Sequence, residues 1–384
     1  MPALSPKEAI DAAISVYNLK SNSEASARIA FAKAPELQEK FNLTGANTFA
    51  STTGAFVFKS TTGFGVIAMG KGDYEKEAIL AIRGTASAHD WVSDGNCGIS
   101  FSSSGKVIHP GFNRVFTEIE PNLNNFFKKN KPERVHCVGH SLGGALASIS
   151  AEWLAHYNIA KSSLYTFGSP RVGFSPFASG LTQAVEEENI FRVHHHNDIV
   201  SLIPLWPFVH APMPGDSYCL LNKPYNPVSA HYKDSYQASI KGHSDWSELK
   251  SGVVFSDTEN LILSWLTGDK SMPLSTYTLR MISSAIMYVL KAAGILVQGL
   301  LIVPGMTILD QLSFALERAW KTSKEIASYV VSLLKKIYTT VTGKVFSFVG
   351  DVTLSLVRMI LDLLTRAIYC LVNTAIGADQ ANDK

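Results

Sequence analysis

The sequence predicts an α/β protein with a mixed, mostly parallel sheet covered by helices, followed by an apolar, all-helical C-terminal region. Two observations lead to this prediction. Between about residues 50 and 220, short apolar runs of strand length alternate with stretches whose apolar residues recur at helical spacing. After Pro273 the alternation stops, and long apolar stretches broken by single polar or charged residues follow. We therefore expect two domains, residues 1–272 and residues 273–384.

Five short apolar runs are the strand candidates of the first domain. They are residues 63–69, 77–82, 135–139, 163–167 and 189–194. Residues 111–129 lie between the second and third candidates, and their apolar positions recur at helical spacing, which predicts a crossover helix. Residues 221–275 are richer in Pro, Gly, Ser and charge, with short helical pieces at 246–249 and 258–267. We expect them to close the first domain.

The overall composition argues against several classes of partner. The chain has 384 residues and a formal net charge of +2, without a long block of Lys or Arg, so nucleic acid is not an expected partner. Four cysteines, Cys97, Cys137, Cys219 and Cys370, are too far apart for a paired metal motif or a dense disulfide framework. We expect them to be reduced.

The first thirty residues bear on the cellular location of the chain. They contain no basic start followed by an uninterrupted apolar run, so they do not resemble a Sec signal peptide. The expectation is a chain that stays in the cytoplasm or is exported by a non-Sec route and associates with a membrane.

A serine in the middle of the chain has the surroundings of a nucleophile. Gly139-His140-Ser141-Leu142-Gly143 fits the pattern G-x-S-x-G, in which glycines permit a strained turn that exposes the serine hydroxyl. A chain of this length matches the pattern by chance about one time in ten, but here a strand candidate precedes it and a predicted helix, 142–157, follows. The N-terminus of that helix directs partial positive charge at a developing oxyanion. We therefore predict Ser141 as the nucleophile.

The serine needs a histidine to accept its proton and a carboxylate to orient that histidine. In α/β hydrolases both follow the serine in the chain, the acid first. Asp198 is the best acid because it comes directly after the last strand candidate. His231 is favoured as the base because a helix start follows it, and His243 and His210 remain the alternatives.

Two further inferences concern the chemistry of this site. Leu142, through its backbone N–H, and Thr85, at the end of an earlier strand, are the candidate oxyanion-hole donors. His194 and His196 share one strand face, but two histidines without a cluster of carboxylates or cysteines do not predict a metal site. No metal or cofactor is expected.

Several further motifs occur along the chain in a fixed order. They are Leu80-Ala81-Ile82-Arg83-Gly84-Thr85, Asp90-Trp91, Val107-Ile108-His109-Pro110-Gly111-Phe112, residues 138–145, Thr166-Phe167-Gly168-Ser169-Pro170-Arg171-Val172-Gly173 and Asp198-Ile199-Val200. In this order they resemble the class 3 lipases, the family of fungal triacylglycerol lipases and plant phospholipases. The resemblance covers roughly residues 50–240.

This resemblance implies an α/β-hydrolase fold and a triad of Ser141, Asp198 and His231. It also implies an oxyanion role for Thr85 and a lid helix at residues 86–92. The implied reaction is hydrolysis of carboxylic esters through an acyl-enzyme, with a triacylglycerol or phospholipid as the lipid ester substrate. The chain departs from the family at Ser201, where proline is common, and in a shorter segment before the histidine.

The C-terminal region lies outside the resemblance and is the second source of functional expectations. Residues 281–303 form an apolar run long enough to cross a bilayer, and further apolar stretches follow at 326–349 and 352–376. Residues 280–366 contain ten Lys or Arg against five Asp or Glu, which suits contact with an anionic membrane surface.

Three readings of this region compete. It inserts into or docks on a membrane, it is a helical subdomain that covers the catalytic domain, or it is an interface for a chaperone or immunity protein. The favoured hypothesis is a lipid-degrading toxin or effector. The alternatives are a membrane-inserting or pore-forming protein whose lipase-like domain only binds lipid, and a soluble esterase.

Overall fold

The structure is a computed structural model of the whole chain. It describes residues 3–21, 23–43, 47–53, 60–84, 98–221, 224–249, 258–269, 272–295, 306–347 and 350–381.

Within these residues, nine strands form two sheets. The strands are β1 (Asn47–Thr53), β2 (Ser60–Met69), β3 (Glu77–Ile82), β4 (Ser100–Phe101), β5 (Val107–Ile108), β6 (Arg134–His140), β7 (Lys161–Phe167), β8 (Ile190–His195) and β9 (Tyr218–Leu220). The main sheet has the order β1-β2-β3-β6-β7-β8-β9, and β4 pairs with β5 in a separate hairpin.

The main sheet is mixed and mostly parallel, as the sequence predicts. β1, β2 and β3 pair antiparallel, and every pair from β3 to β9 is parallel. All five predicted strands are present, with ends shifted by up to three residues. The sequence prediction missed β1 and β9, as well as the small hairpin, because these strands are short or low in apolar residues.

The described helices either flank this sheet or belong to the C-terminal region that follows it in the chain. They are α1 (Pro6–Ser15), α2 (Glu24–Ala30), α3 (Pro35–Lys40), α4 (Pro110–Lys129), α5 (Leu142–His156), α6 (Ser175–Val185), α7 (Lys233–Ile240), α8 (Glu259–Thr267), α9 (Thr276–Ala292), α10 (Ile308–Trp320), α11 (Lys324–Thr342) and α12 (Leu354–Ala381). The predicted crossover helix is α4, and the predicted helix after Ser141 is α5.

Both faces of the sheet are buried, because successive side chains of a strand point to opposite faces. In β6, Cys137 packs with α4 and α5 on one face, while Val138 packs with α1 and α7 on the other. Parallel strands covered on both faces are continuously apolar, which explains why the central strands were recognisable from the sequence. Their carboxyl ends meet at one edge of the sheet.

The described part of the C-terminal region is a bundle of four helices, α9 to α12, which are 13 to 28 residues long. The apolar run 281–303 does not form one helix, because α9 ends at Ala292 and Gly294 adopts a left-handed conformation with φ of 67°. The run 326–349 ends as a helix at Thr342, where Gly343 caps α11 with φ of 69°. Glycine favours such a left-handed cap because it has no Cβ.

None of the described helices combines the length and the apolar character needed to cross a membrane.

The bundle shares an apolar core with the sheet domain. Ile286 of α9 and Leu361 and Leu364 of α12 are buried in the same cluster as Ile203 and Trp206, which follow the strand β8. The helices therefore pack on the domain that contains Ser141. The division into domains at residues 272 and 273 stays a prediction.

Candidate active site

Ser141 lies at a strained turn between β6 and α5. Its φ of 58° and ψ of −131° are unusual for a residue with a side chain, and its N–H donates to the carbonyl of Phe167 at 2.9 Å. The flanking glycines permit the close approach of strand and helix. A Cβ on Gly139 would lie 2.2 Å from the carbonyl carbon of Gly143. The turn therefore has the mechanics that the sequence pattern predicts.

The structure brings Ser141, His231 and Asp198 together as a hydrogen-bonded chain. The Ser141 hydroxyl lies 2.9 Å from Nε2 of His231, and Nδ1 of His231 lies 3.0 Å from each carboxylate oxygen of Asp198. All three side chains are buried, Ser141 being 4% exposed. With Nδ1–H donating to Asp198, Nε2 is free to accept the serine proton.

Two donors hold the Asp198 carboxylate. The Tyr236 hydroxyl donates to Oδ2 at 2.7 Å, and the Val200 N–H donates to Oδ1 at 2.8 Å. The Tyr236 oxygen itself accepts the N–H of His195 at 3.0 Å. These contacts satisfy a buried carboxylate that would otherwise be costly to ionise.

The carboxylate controls the protonation of the histidine. Burial alone would lower the pKa of His231, but the charge and hydrogen bond of Asp198, with a further contribution from the charge of Asp379, raise it above its ordinary value. An imidazole with a raised pKa is a stronger base for the serine proton.

His140, the residue before the nucleophile, supports the His231 backbone. Its Nε2–H donates to the His231 carbonyl at 2.9 Å, so its Nδ1 accepts from the Tyr17 hydroxyl at 2.8 Å. Burial lowers the pKa of His140 well below its ordinary value, with help from the neighbouring charge of His231. The ring is therefore neutral, and this tautomer fits both hydrogen bonds.

The two alternative bases lie elsewhere. His243 is partly exposed, and its Nδ1 lies 3.2 Å from Glu248. His210 donates from Nε2 to the carbonyl of Ser201 at 2.7 Å. Ser201, the departure from the family pattern, donates its hydroxyl to the Asp198 carbonyl at 2.8 Å and so stabilises the turn after the acid.

The structure describes only part of the predicted oxyanion hole. Leu142 is the first residue of α5, where helix N–H groups have no intrahelical acceptor. Gly84 lies beside the nucleophile, since a Cβ there would be 3.1 Å from the Ser141 Cβ. Thr85 and the predicted lid, residues 86–92, lie outside the described residues. The oxyanion assignment stays a prediction.

Four supporting residues were missed by sequence reasoning. They are Tyr17, His140, Gly168 and Tyr236. His140 and Gly168 fall in family-like motifs, which is the only signal that the sequence contained. The structure shows why a glycine is needed at position 168. Its φ is 56°, and a Cβ would lie 2.6 Å from Oδ2 of Asp198.

Within the described residues, no group of three His, Cys, Asp or Glu side chains is arranged to hold a metal ion. The described cysteines Cys137, Cys219 and Cys370 are free thiols.

An apolar cavity lies between the loop that follows Asp198 and the C-terminal bundle. Its volume is about 100 Å³, and it is partly open to solvent. Residues from the loop, from the start of α4 and from three C-terminal helices line it, among them His109, Ile203, Trp206, Ile286, Leu312 and Leu364.

The central part of the chain is similar to known proteins. Residues 79–208 match the family described as Lipase (class 3). A secreted mono- and diacylglycerol lipase 1 from Fusarium solani is 33% identical over 135 residues, covering 34% of this chain and 40% of the relative. A lipase from Rhizomucor miehei is 32% identical over 160 residues, covering 38% of this chain and 43% of the relative.

A plant relative matches over a longer stretch. Phospholipase A1-II 1 from Oryza sativa subsp. indica is 25% identical over 202 residues, covering 44% of this chain and 50% of the relative. The solved Rhizomucor miehei triacylglyceride lipase superposes weakly, with a TM-score of 0.41 and 22% identity over 56% of this chain and 79% of that one.

The chain spans about 40 to 50% of the length of these curated relatives. The match over residues 79–208 includes Ser141 and Asp198, and it precedes the C-terminal bundle. The sheet topology, the strained serine turn and the order Ser141, Asp198, His231 are those of an α/β hydrolase. Residues 79–208 are therefore similar to the class 3 lipase family.

Proposed function

We propose that the protein is a carboxylic ester hydrolase that acts on lipid esters, with Ser141 as nucleophile, His231 as general base and Asp198 as the orienting acid. The single observation that carries the proposal is the hydrogen-bonded chain from the Ser141 hydroxyl through His231 to Asp198. The relatives named as lipases and as a phospholipase A1 support the choice of lipid esters.

In this proposal the reaction has two halves. Ser141 attacks the ester carbonyl while His231 takes the hydroxyl proton and then returns it to the leaving alcohol. Water next attacks the acyl-enzyme with His231 again as the base, which releases the fatty acid. The developing oxyanion accepts the N–H of Leu142 and, in the prediction from the sequence, groups of Thr85.

The apolar cavity supports a substrate with a long hydrocarbon chain. Its wall includes Ile203 and Trp206, which follow Asp198 by five and eight residues in the chain. Burial of a hydrocarbon chain there is favourable by about 0.8 kcal/mol per methylene group. An ester with a short acyl chain would leave this cavity unfilled.

The test is fatty-acid release from triacylglycerol emulsion, phosphatidylglycerol and phosphatidylethanolamine by the intact chain and by Ser141→Ala. Loss of a triad nucleophile costs on the order of a million-fold in kcat. We expect release from at least one lipid by the intact chain and none above background by the variant. Fluorophosphonate labelling of the intact chain, absent in Ser141→Ala, identifies the reactive serine independently of the lipid chosen.

Two outcomes contradict the proposal. Equal release by both proteins would remove Ser141 from the mechanism and leave the lipase-like domain as a lipid-binding module. Activity confined to short-chain, water-soluble esters would favour the soluble esterase.

We further propose that the C-terminal bundle contacts an anionic lipid surface. Large apolar side chains are exposed along its second half, with Val345 86%, Leu354 41% and Met359 46% exposed. The excess of basic residues between 280 and 366 favours anionic headgroups by about 1 kcal/mol per residue near the surface.

Vesicle cosedimentation tests this contact with point variants that leave the bundle in place. Val345→Asp combined with Met359→Asp should weaken binding to phosphatidylglycerol vesicles, while Ile29→Asp, which changes a 68% exposed residue near the N-terminus, should not. Equal binding by all three proteins would contradict the contact. Export by a non-Sec route, a role as toxin or effector, and a chaperone or immunity partner stay predictions from the sequence.

A further inference from the structure

The helix that follows the catalytic histidine has no cap of its own. α7 begins at Lys233, two residues after His231, and its N-cap residue Tyr232 makes no side-chain capping hydrogen bond. The first N–H groups of a helix need acceptors from outside it. For the Lys233 N–H the acceptor is Oδ1 of Asp379, at 3.0 Å, from a residue 146 positions later in the chain.

Asp379 also pairs with the Lys233 side chain. The ammonium lies 3.7 Å from Oδ1 of Asp379 and donates to the Asp379 carbonyl at 3.4 Å. Both residues are buried, Lys233 being 4% and Asp379 5% exposed. A buried ion pair with additional backbone hydrogen bonds fixes geometry more strongly than a surface pair, because loss of either partner leaves an uncompensated buried charge.

These contacts fix the chain on the C-terminal side of His231. His140, at the end of β6, donates to the His231 carbonyl itself. The backbone that carries the imidazole is therefore held by β6 at His231 and by the last turns of α12 at the start of α7. α12 also packs against the short helical turn Ser229–His231.

We infer that Asp379 is a positioning residue for His231, so that the C-terminal bundle is part of the catalytic apparatus and does not serve only as an attachment to a lipid surface. The inference rests on the proposed function, because it assigns Asp379 a role through the general base. Asp379 touches neither substrate nor the reacting atoms.

The charges around His231 set the expected pH response. Asp198 and Asp379 are the carboxylates that raise the pKa of His231, against the lowering effect of burial. His140 stacks on His231 from the end of β6, and His195 of β8 interacts with its charge. Tyr236 of α7 contacts both of these histidines, and Lys233 lies over the Tyr17 ring. Removing the charge of Asp379 therefore lowers the pKa of His231.

Two substitutions of Asp379 separate its charge from its hydrogen bond. Asp379→Asn removes the charge but keeps an oxygen that can accept the Lys233 N–H, whereas Asp379→Ala removes both. Asp362→Asn is the matched control, since Asp362 lies on the same helix and pairs with Arg366 at 2.8 Å on the surface. The readout is the pH profile of kcat/KM for ester hydrolysis by the full chain, with the melting temperature recorded for each protein.

We expect the acid limb of the profile to move to lower pH in both Asp379 variants and to stay in place in Asp362→Asn. In Asp379→Ala, kcat should also fall by roughly ten- to a hundred-fold with KM little changed, because the imidazole is misplaced. A purely structural role would lower the melting temperature without moving the acid limb.

The outcomes separate this inference from the proposed function. An intact chain that hydrolyses no ester and takes up no fluorophosphonate would overturn the proposed function. An active chain whose acid limb is the same in all four proteins would overturn the positioning role alone. If Asp379→Ala does not fold, the nearly isosteric Asp379→Asn still tests the positioning role, because the position of its acid limb can be compared with that of the intact chain.

Discussion

The imidazole of His140 stacks on that of His231, with ring centroids 4.9 Å apart and planes 27° from parallel. The same His140 ring donates to the His231 backbone carbonyl at 2.9 Å. The residue before the nucleophile therefore supports the base that activates the nucleophile. The second position of the G-x-S-x-G turn thus has a structural role that the pattern itself does not specify.

His140→Phe keeps a ring of similar size against His231 but cannot donate to the carbonyl. We expect kcat to fall by about ten- to a hundred-fold, because the imidazole loses one of its two backbone restraints. Tyr17→Phe, which removes only the hydroxyl that His140 accepts at 2.8 Å, should have a smaller effect. Steady-state kinetics of the two variants, with kcat and KM determined separately, measure both effects. A larger loss of kcat in Tyr17→Phe than in His140→Phe would contradict this ordering.

Asp198→Asn should leave the fold intact and lower kcat by about 10⁴-fold. The single amide oxygen can still accept from one of Tyr236 and Val200, but the asparagine does not stabilise the imidazolium and permits the wrong tautomer of His231. Circular dichroism measures whether the fold is intact, and steady-state hydrolysis measures the loss of kcat. An active Asp198→Asn protein would mean that another carboxylate orients His231.

The pH profile of kcat/KM should have an acid limb above pH 6.5, the ordinary pKa of histidine. The pKa of His231 is raised by Asp198 against the effect of burial, and the base works only when it is neutral, so activity rises with pH through that raised pKa. The same shift stabilises the folded chain below about pH 6.5, and this contribution is lost as pH rises through the folded pKa. A limb below pH 6 in the intact chain would contradict the assignment of His231.

Two glycines in helices should respond in opposite ways to alanine. A Cβ on Gly143, in the first turn of α5, would lie 2.1 Å from the Ile82 carbonyl oxygen, so Gly143→Ala should cost roughly 1–3 kcal/mol and distort the Ser141 turn. A Cβ on Gly377, in α12, meets nothing within 4 Å, so Gly377→Ala should stabilise by roughly 0.5–1 kcal/mol. Chemical denaturation measures both values, and a neutral Gly143→Ala would show that β3 and α5 can separate.

A larger side chain in the apolar cavity should change the preferred acyl chain. Leu312 of α10 is buried in the cavity wall, so Leu312→Trp should reduce hydrolysis of long-chain p-nitrophenyl esters relative to short-chain ones. Phe314→Trp, on the same helix but at a position 38% exposed, is the control and should leave the preference unchanged. An unaltered chain-length profile in Leu312→Trp would remove the cavity from the substrate site.

Much of the catalytic domain was determined by local sequence. The central strands are continuously apolar because both of their faces are buried, and the serine turn requires glycines within a few residues of one another. Ser141, its strand and its helix are therefore recognisable from about twenty adjacent residues. Asp198 is recognisable for a similar reason, because it lies in the loop directly after a strand, β8 (Ile190–His195).

Tertiary structure alone decided which histidine meets the serine and what holds it there. His210, His231 and His243 all follow Asp198, and the helix start after His231 favours it without excluding the other two. Only the path of the chain brings one of them within 2.9 Å of Ser141. The contact between Lys233 and Asp379 joins residues 146 positions apart, and no local pattern encodes such a pairing. The apolar C-terminal stretches were equally ambiguous, because a helix buried against protein and a helix exposed to lipid both require apolar residues, and packing distinguishes them.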